Sequence, residues 1–556
     1  MRMAADPKII CTTEERLFNN ASTHFRYCDE MAPYIAPSRG SILSKRTPGE
    51  KQTRHVYDST SMMAAEMCAH FIAGQVINPS QLWGTMTLKH PRQRLQDAIN
   101  EWMEECRDRE LKAFSESMFY AEAVESKVDW VGFGTGFLLR EEMPQPVNMV
   151  MHGFRGFRFE AIKTGRFVTA EGASGLVDTV YIRLTHTAQQ LVDRFGKQAV
   201  SDKVRKSIEN NKPDEEHEII HAIYPRPLSD QRYAAGALKM PWASCRVEKS
   251  TKHLIIESGY PSFPGAVYRY TKTPGETFGR GRGHLAFPDT WTLNQVKHLS
   301  LDDFAMKISP PPLVSHDAVI GTLRLRPGTP TVINTRGRSM ADVIAPYQTG
   351  SRPEVSQLLQ EDLRKSIRQT FYVDQIMMLM EVSKSEMSAE EWRSKLGLLY
   401  KLIGPVYGRA EKEFLRQNWD GSFQEMLDKG AFSDPPDSIY ETDGEIDLTF
   451  QNPIARAQRR GDVDAMVQTI QDLAGFAPFA PQVYDRFDPE KSAAMIGEIN
   501  GYPARATRND DEVKAVADAR QAQQEGEQQL AAAGQIAAAA GDAAPMLSAL
   551  QDGAQQ

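Results

Sequence analysis

Apolar residues recur at helical spacing through the first 130 positions. Residues 11–30 and 58–77 read as helices; in the second, Met62, Met63, Met67, Phe71 and Ile72 fall on one stripe and Asn78-Pro79 ends it. The pattern continues over 92–130, first with Leu95, Ile99, Trp102 and Met103, then with Phe114, Met118, Ala121 and Val124. Such stripes are read as core-facing. After Gly132 the period shortens. Residues 153–185 alternate and are rich in Phe, Val, Tyr and Arg, as in Phe157-Arg158-Phe159, so they predict strands joined by glycine turns. Thr187-Ala188-Gln189-Gln190 is a capping box that opens a short helix ending near Gly196. Strands resume at 217–224, 242–249, 253–257 and 266–270. The fold class is α+β.

From 285 the texture changes again. Residues 285–308 predict one long helix, with Leu293, Val296, Phe304 and Ile308 on a stripe, Ser300 as its polar break, and Ser309-Pro310-Pro311-Pro312 as its stop. Residues 313–350 hold strand-like pieces at 319–325, 331–334 and 341–345 among Gly and Pro turns. A second long helix follows at about 353–378, with Leu359, Leu363, Ile367 and Phe371 four apart. Two long helices around a small β-containing module form a stalk with a tip. Residues 382–388 are a short polar break. Ser388 then caps a helix with Glu390 and Glu391 in its first turn, running to about 418 with a kink expected at Gly404-Pro405. Further helices are predicted at 452–474 and 489–499. The tail 511–556 is more than half Ala and Gln and has no aromatic residue, which suits a marginal helix or disorder.

Composition narrows the function classes. Hydrophobic residues make up 41% and charged residues 25% of 556 positions, enough for a sizeable core. The net charge of −8 argues against a protein that works mainly by gripping phosphates. Cys11, Cys28, Cys68, Cys106 and Cys245 are odd in number and widely spaced, so neither a disulfide framework nor a Cys-based zinc finger is expected. The first seven residues lack the apolar stretch of a signal peptide, and no run is long enough for a membrane span.

Three motifs bear on chemistry. His217-Glu218-Ile219-Ile220-His221 matches the H-E-x-x-H pattern of zinc hydrolases, which requires a helix to bring both imidazoles to one metal. Here Pro213, Pro225 and Pro227 bracket a β-favouring run, and on a strand Glu218 points away from His217 and His221. Gly132-Phe133-Gly134-Thr135-Gly136 and Gly279-Arg280-Gly281-Arg282-Gly283 lack the phosphate-binding lysine and the strand–loop–helix context of a nucleotide loop. They read as turns and close backbone packing, and no cofactor is expected.

The segment from Thr277-Phe278-Gly279-Arg280-Gly281-Arg282-Gly283 through Ala286-Phe287-Pro288-Asp289 and Leu293-Asn294 to Pro310-Pro311-Pro312-Leu313 carries a family resemblance. It resembles the "YGRGPG…ALPD…LN…PP-L" run of the head-to-tail connector, or portal, proteins of short-tailed bacteriophages. Phe278 stands where Tyr is usual and Arg282 where Pro is usual. Secondary matches, collinear with the family, are Asp58-Ser59-Thr60, Phe133-Gly134-Thr135-Gly136, Val177-Asp178, Gly404-Pro405 and Asn452-Pro453-Ile454-Ala455-Arg456-Ala457. The resemblance covers roughly 10–510.

The resemblance implies a homo-oligomeric ring, usually of twelve subunits, at one vertex of the capsid, without enzymatic activity. It implies a wing at 1–284, a first stem helix at 285–308, a clip at 309–352, a second stem helix at 353–381, a tunnel loop at 382–388, a kinked helix and wing return at 389–439, and a crown at 440–510. The implied partners are the terminase large subunit, a tail adaptor, the major capsid and scaffolding proteins, and double-stranded DNA held without sequence preference; no membrane is involved. Val382, Ser383, Lys384, Ser385, Glu386 and Met387 would face the channel. Arg324, Arg326, Arg336 and Arg338 would form a docking surface on the clip. The alternatives are a zinc-dependent hydrolase using His217, Glu218 and His221, or another ring-forming tail or adaptor protein of the virion.

Overall fold

The computed structural model describes residues 5–44, 47, 49–88, 97–143, 153–228, 231, 236–308, 312–314, 337, 339, 344–346, 350, 352–381, 389–437, 439, 446–451, 453–474, 492–493, 495–497, 515–516 and 518–526. Helix α1 (Pro7–Asn20) starts behind Asp6, whose carboxylate accepts the Lys8 N–H at 2.8 Å, and α2 (Ser22–Ile35) follows after Ala21. Helix α3 (Thr60–Val76), strand β1 (Gly84–Leu88), and helices α4 (Asp97–Glu116) and α5 (Phe119–Phe133) come next. The β-rich stretch comprises β2 (Thr135–Glu142), β3 (Phe157–Ala161), β4 (Phe167–Glu171), β5 (Val177–Thr187), helices α6 (Ala188–Phe195) and α7 (Asp202–Glu209), β6 (Glu216–Pro225), β7 (Trp242–Glu248), β8 (His253–Tyr260), β9 (Gly265–Arg269), β10 (Thr271–Lys272) and β11 (Gly279–Arg280). Helix α8 (Arg282–Ile308), strands β12 (Pro312–Val314) and β13 (Ile344–Pro346), and helices α9 (Pro353–Thr370), α10 (Val373–Glu381), α11 (Ala389–Ala410) and α12 (Arg416–Asp428) follow. The last elements are β14 (Ile446–Phe450) and α13 (Pro453–Ala474).

The described residues form two compact units, one drawn from 1–83, 110–432 and 452–458, the other from 84–109, 433–451 and 459–556. In the first, β4-β5-β6-β7-β8 is a five-stranded antiparallel meander and β3-β2-β9 a three-stranded antiparallel sheet. The capping box at Thr187 is present with both of its hydrogen bonds, and Gly196 ends α6. Helices α6 and α7 bury Leu191 and Val204 against Ile219 and Ile255 of the meander. The aromatic centre lies around Trp83, which meets Trp419 edge-on at 4.9 Å and stacks near Phe114 and Phe119. Each such ring taken fully out of water contributes about 2–3 kcal/mol.

A buried ion pair ties β9 to the turn between α11 and α12. Glu413 lies in a π-helical turn at Glu411–Leu415 between α11 and α12. That turn aims its carboxylate at Arg269, which donates from its backbone N–H at 2.7 Å and from its guanidinium at 2.6 Å. π turns often mark places where a helix must present one side chain out of register.

In the second unit β1 pairs antiparallel with β14, Gly84 opposite Phe450 and Leu88 opposite Ile446. The Trp102 indole donates to the Ser433 carbonyl at 2.9 Å, and the Ser433 hydroxyl donates to Glu105 at 2.8 Å. No helix among the described residues is long and apolar enough to cross a membrane.

Two expectations are corrected. The helix read over 11–30 is two helices meeting at Ala21. The helix read over 353–378 breaks at Phe371-Tyr372, where Tyr372 has φ of +60°. Phe371, Tyr372 and Val373 are all buried at the break, so packing there outweighs the cost of a left-handed non-glycine residue.

Candidate functional site

The two glycine motifs fit one another. Gly134 caps α5 in the left-handed conformation, φ +89°. A Cβ there would overlap the Gly279 carbonyl oxygen and the Gly281 nitrogen, and a Cβ on Gly283 would overlap the Gly132 carbonyl. Tyr270 donates its N–H to the Gly134 carbonyl at 2.8 Å, and the Gly279 N–H donates to Thr135 Oγ1 at 2.8 Å. The loop before α8 therefore lies backbone to backbone on the end of α5, a separation that side chains would prevent.

This contact roots α8. Phe278 packs on Phe25 at 5.2 Å and stacks on the His24 ring at 4.9 Å. Ala286 and Leu293 are buried. Asn294 accepts the Tyr57 N–H at 2.7 Å and donates to the His55 carbonyl at 2.9 Å. Asp289 accepts the Ser366 hydroxyl at 2.6 Å, which fastens α9 to α8. Asp58 accepts the Thr60 N–H at 3.0 Å in front of α3 and the Arg364 guanidinium at 2.7 Å. Burial alone would raise the Asp58 carboxyl, but the bonds from Thr60 and Arg364 outweigh it and hold the group below the usual carboxylate range.

Beyond the root, α8 and α9 run antiparallel, because Asp289 meets Ser366 while Ser300 meets Ser356. Ser300, the expected polar break, lies 2.7 Å from Ser356 Oγ, and Gln360 donates to both hydroxyls at 3.1 and 3.2 Å. The apolar stripes are covered only at the root, where Leu293, Ile367 and Phe371 are buried. Toward the other end Leu299 is 66%, Ile308 83% and Leu358 69% exposed, and Phe304 and Leu359 are exposed too. A cleft of about 520 Å³ opens there between the helices. Helix α8 spans about 40 Å at 1.5 Å per residue.

His217, Glu218 and His221 lie on β6. His217 and His221 are buried and Glu218 is exposed. Four residues along a strand separate the imidazoles by about 13 Å, too far for one metal ion. His217 faces Glu248 at 3.5 Å and Ser207 at 3.4 Å; His221 bonds Ser244 at 2.9 Å. Burial, with Arg246 beside it, pushes His221 down to about 3, so it is neutral. The structure keeps these three residues apart as parts of a sheet. Val382, Ser383, Lys384, Ser385, Glu386 and Met387 lie outside the described residues, as do Arg324, Arg326, Arg336, Arg338 and Ser388.

The model of the family described as bacteriophage head to tail connecting protein matches residues 12–507. The chain belongs to this family. A probable portal protein of Bordetella phage BPP-1 is 24% identical over 546 residues, 96% of this chain and 94% of its own length. The portal protein of Salmonella phage epsilon15 is 24% identical over 521 residues, 92% of this chain and 90% of its own. The connector-family run has a clear physical place. Phe278, the glycines, Ala286, Asp289, Leu293 and Asn294 all build the root of α8, and Asp58 reaches it through Arg364.

One constellation escapes the sequence reading. His24 and Cys28, four apart on α2, meet His284 at the start of α8, and their donor atoms all lie within 4.8 Å of one another. Burial pushes His24 down to about 4 and His284 to about 3, and raises the Cys28 thiol. The His-x-x-x-Cys spacing is visible in the chain. Its third member is remote in sequence.

Proposed function

We propose that this chain is the subunit of a portal ring at one capsid vertex, through which double-stranded DNA enters the head and later leaves it. The carrying observation is the uncovered apolar face of α8 and α9, in a chain of the connector family. One helix pair cannot bury that face, and a neighbouring copy in a closed ring can. In this reading 285–308 and 353–381 are the stem, 309–352 the clip, 382–388 the tunnel loop, 1–284 and 389–439 the wing, and 440–510 the crown. The ring has about twelve copies. A terminase large subunit supplies the energy for packaging, and a tail adaptor and the capsid and scaffolding proteins are its other partners. Electron microscopy of the purified full chain tests this. Closed rings with a channel wide enough for a duplex support it, whereas a monodisperse monomer at micromolar concentration overturns it.

A further inference from the structure

His24, Cys28 and His284 offer two imidazoles and a thiol from two elements that meet at the root of α8. Cys28 Sγ lies 3.5 Å from His24 Nε2. Zinc–sulfur and zinc–nitrogen bonds of about 2.3 and 2.0–2.1 Å at a tetrahedral angle place two such donors about 3.5 Å apart. The helix supplies this pair through its i, i+4 spacing. His284 faces His24 ring to ring at 5.9 Å. Its Nδ1 accepts the Gly281 N–H at 3.2 Å, while its Nε2 is buried without a hydrogen-bond partner. In that tautomer the unpartnered Nε2 carries the ring proton and lacks an acceptor; the closeness of one donor atom from each of the three residues, all within 4.8 Å, is what points to a ligand, and a metal ion at Nε2 requires the ring proton on Nδ1. His24 and His284 also line a pocket of about 490 Å³ with Tyr27, Glu276 and Arg280, which gives an ion a way in and a water for the fourth position.

We propose that His24, Cys28 and His284 bind a divalent transition-metal ion, Zn²⁺ by the softness of the donor set, and that the ion clamps α2 to the first turn of α8. The thiol releases its proton to solvent on binding. The ring proton of His284 moves to Nδ1, exchanging one long neutral hydrogen bond to Gly281 for a metal–nitrogen bond. The site is independent of His217 and His221, and it stands or falls apart from the ring assignment.

Cobalt titration of the chelator-treated full chain, reduced with a phosphine, reads the site directly. One Co²⁺ per chain should give a thiolate-to-cobalt charge-transfer band together with four-coordinate d–d bands, and Zn²⁺ should abolish both. Cys28→Ser should lose the charge-transfer band, while Cys68→Ser and His217→Ala keep it. If Cys28→Ser does not fold, His24→Gln serves: Zn²⁺ should raise the melting temperature of the parent chain and leave that of His24→Gln unchanged. Absence of the band in the parent chain, its persistence in Cys28→Ser, or an equal zinc shift in His24→Gln overturns the proposal.

Discussion

Gly283 stands directly against the carbonyl of Gly132, closer than any side chain would permit. Alanine at 283 must push α8 away from α5, and alanine at 134 must in addition hold a left-handed backbone. Each should cost about 2–4 kcal/mol, read as a lowered midpoint in urea. Gly397, in α11, has nothing within reach of a Cβ, so Gly397→Ala should be neutral or stabilise by up to about 1 kcal/mol. Equal behaviour of Gly283→Ala and Gly397→Ala would rule out the close contact.

The glycine motifs also show what the sequence reading reached. Turns and close packing follow from their composition, but that Gly132–Gly136 and Gly279–Gly283 are each other's partners does not, because the 142 intervening positions carry no register. Local signals performed well: the capping box at Thr187, the proline-bracketed strand at His217 and the polar break at Ser300 each depend on a few neighbours. Tyr372 did not, since Leu359, Leu363, Ile367 and Phe371 continue the helical period and only tertiary burial breaks it. The pairing of β1 with β14 and the meeting of His284 with Cys28 are long-range and invisible to periodicity.

Lys127 predicts a pH dependence. Its ammonium is buried without a hydrogen-bond partner, 3.5 Å from the centre of the Phe414 ring and 5.5 Å from that of Tyr268. Burial pushes it down to about 7. The folded chain therefore sheds this proton at lower pH than the unfolded chain, so its penalty is full below pH 7 and fades as pH rises toward the ordinary lysine value. Lys127→Met should stabilise the fold at pH 6 by on the order of 2–4 kcal/mol, less the lost cation–π contact, and the gain should shrink by pH 9. A gain independent of pH, measured by thermal melts across that range, contradicts the shift.

Leu358 tests the uncovered stem face. Leu358→Glu puts a charge where the proposed neighbour would sit while leaving the buried root alone. Far-UV circular dichroism should be unchanged and ring assembly lost or weakened at least about tenfold in concentration dependence. Intact rings in the variant would place the subunit contact elsewhere.

Lys384 is the residue proposed to touch packaged DNA. A ring would present its ammonium at one level of the channel, always near some phosphate, with Glu386 moderating the attraction. Lys384→Glu should leave assembly intact and reduce packaging or retention of the genome. Particles that fill and hold DNA to the parent level remove this role.

Arg324, Arg326, Arg336 and Arg338 are proposed to meet the packaging motor and the tail adaptor. Reversing the charge of Arg324 and Arg326 together should weaken pull-down of either partner while rings still form. Unchanged capture of both partners argues that the arginines only solvate the clip.

The pairing of β1 with β14 has a consequence for synthesis. Gly84–Leu88 leaves the ribosome with its edges open, and its partner, Ile446–Phe450, arrives only after some 360 further residues. At bacterial elongation rates that interval is roughly 20–70 s. An unpaired strand is a template for any other chain through that time. Nascent copies on one message therefore risk swapping this strand, and β1 can find its own partner only after Phe450 has been made.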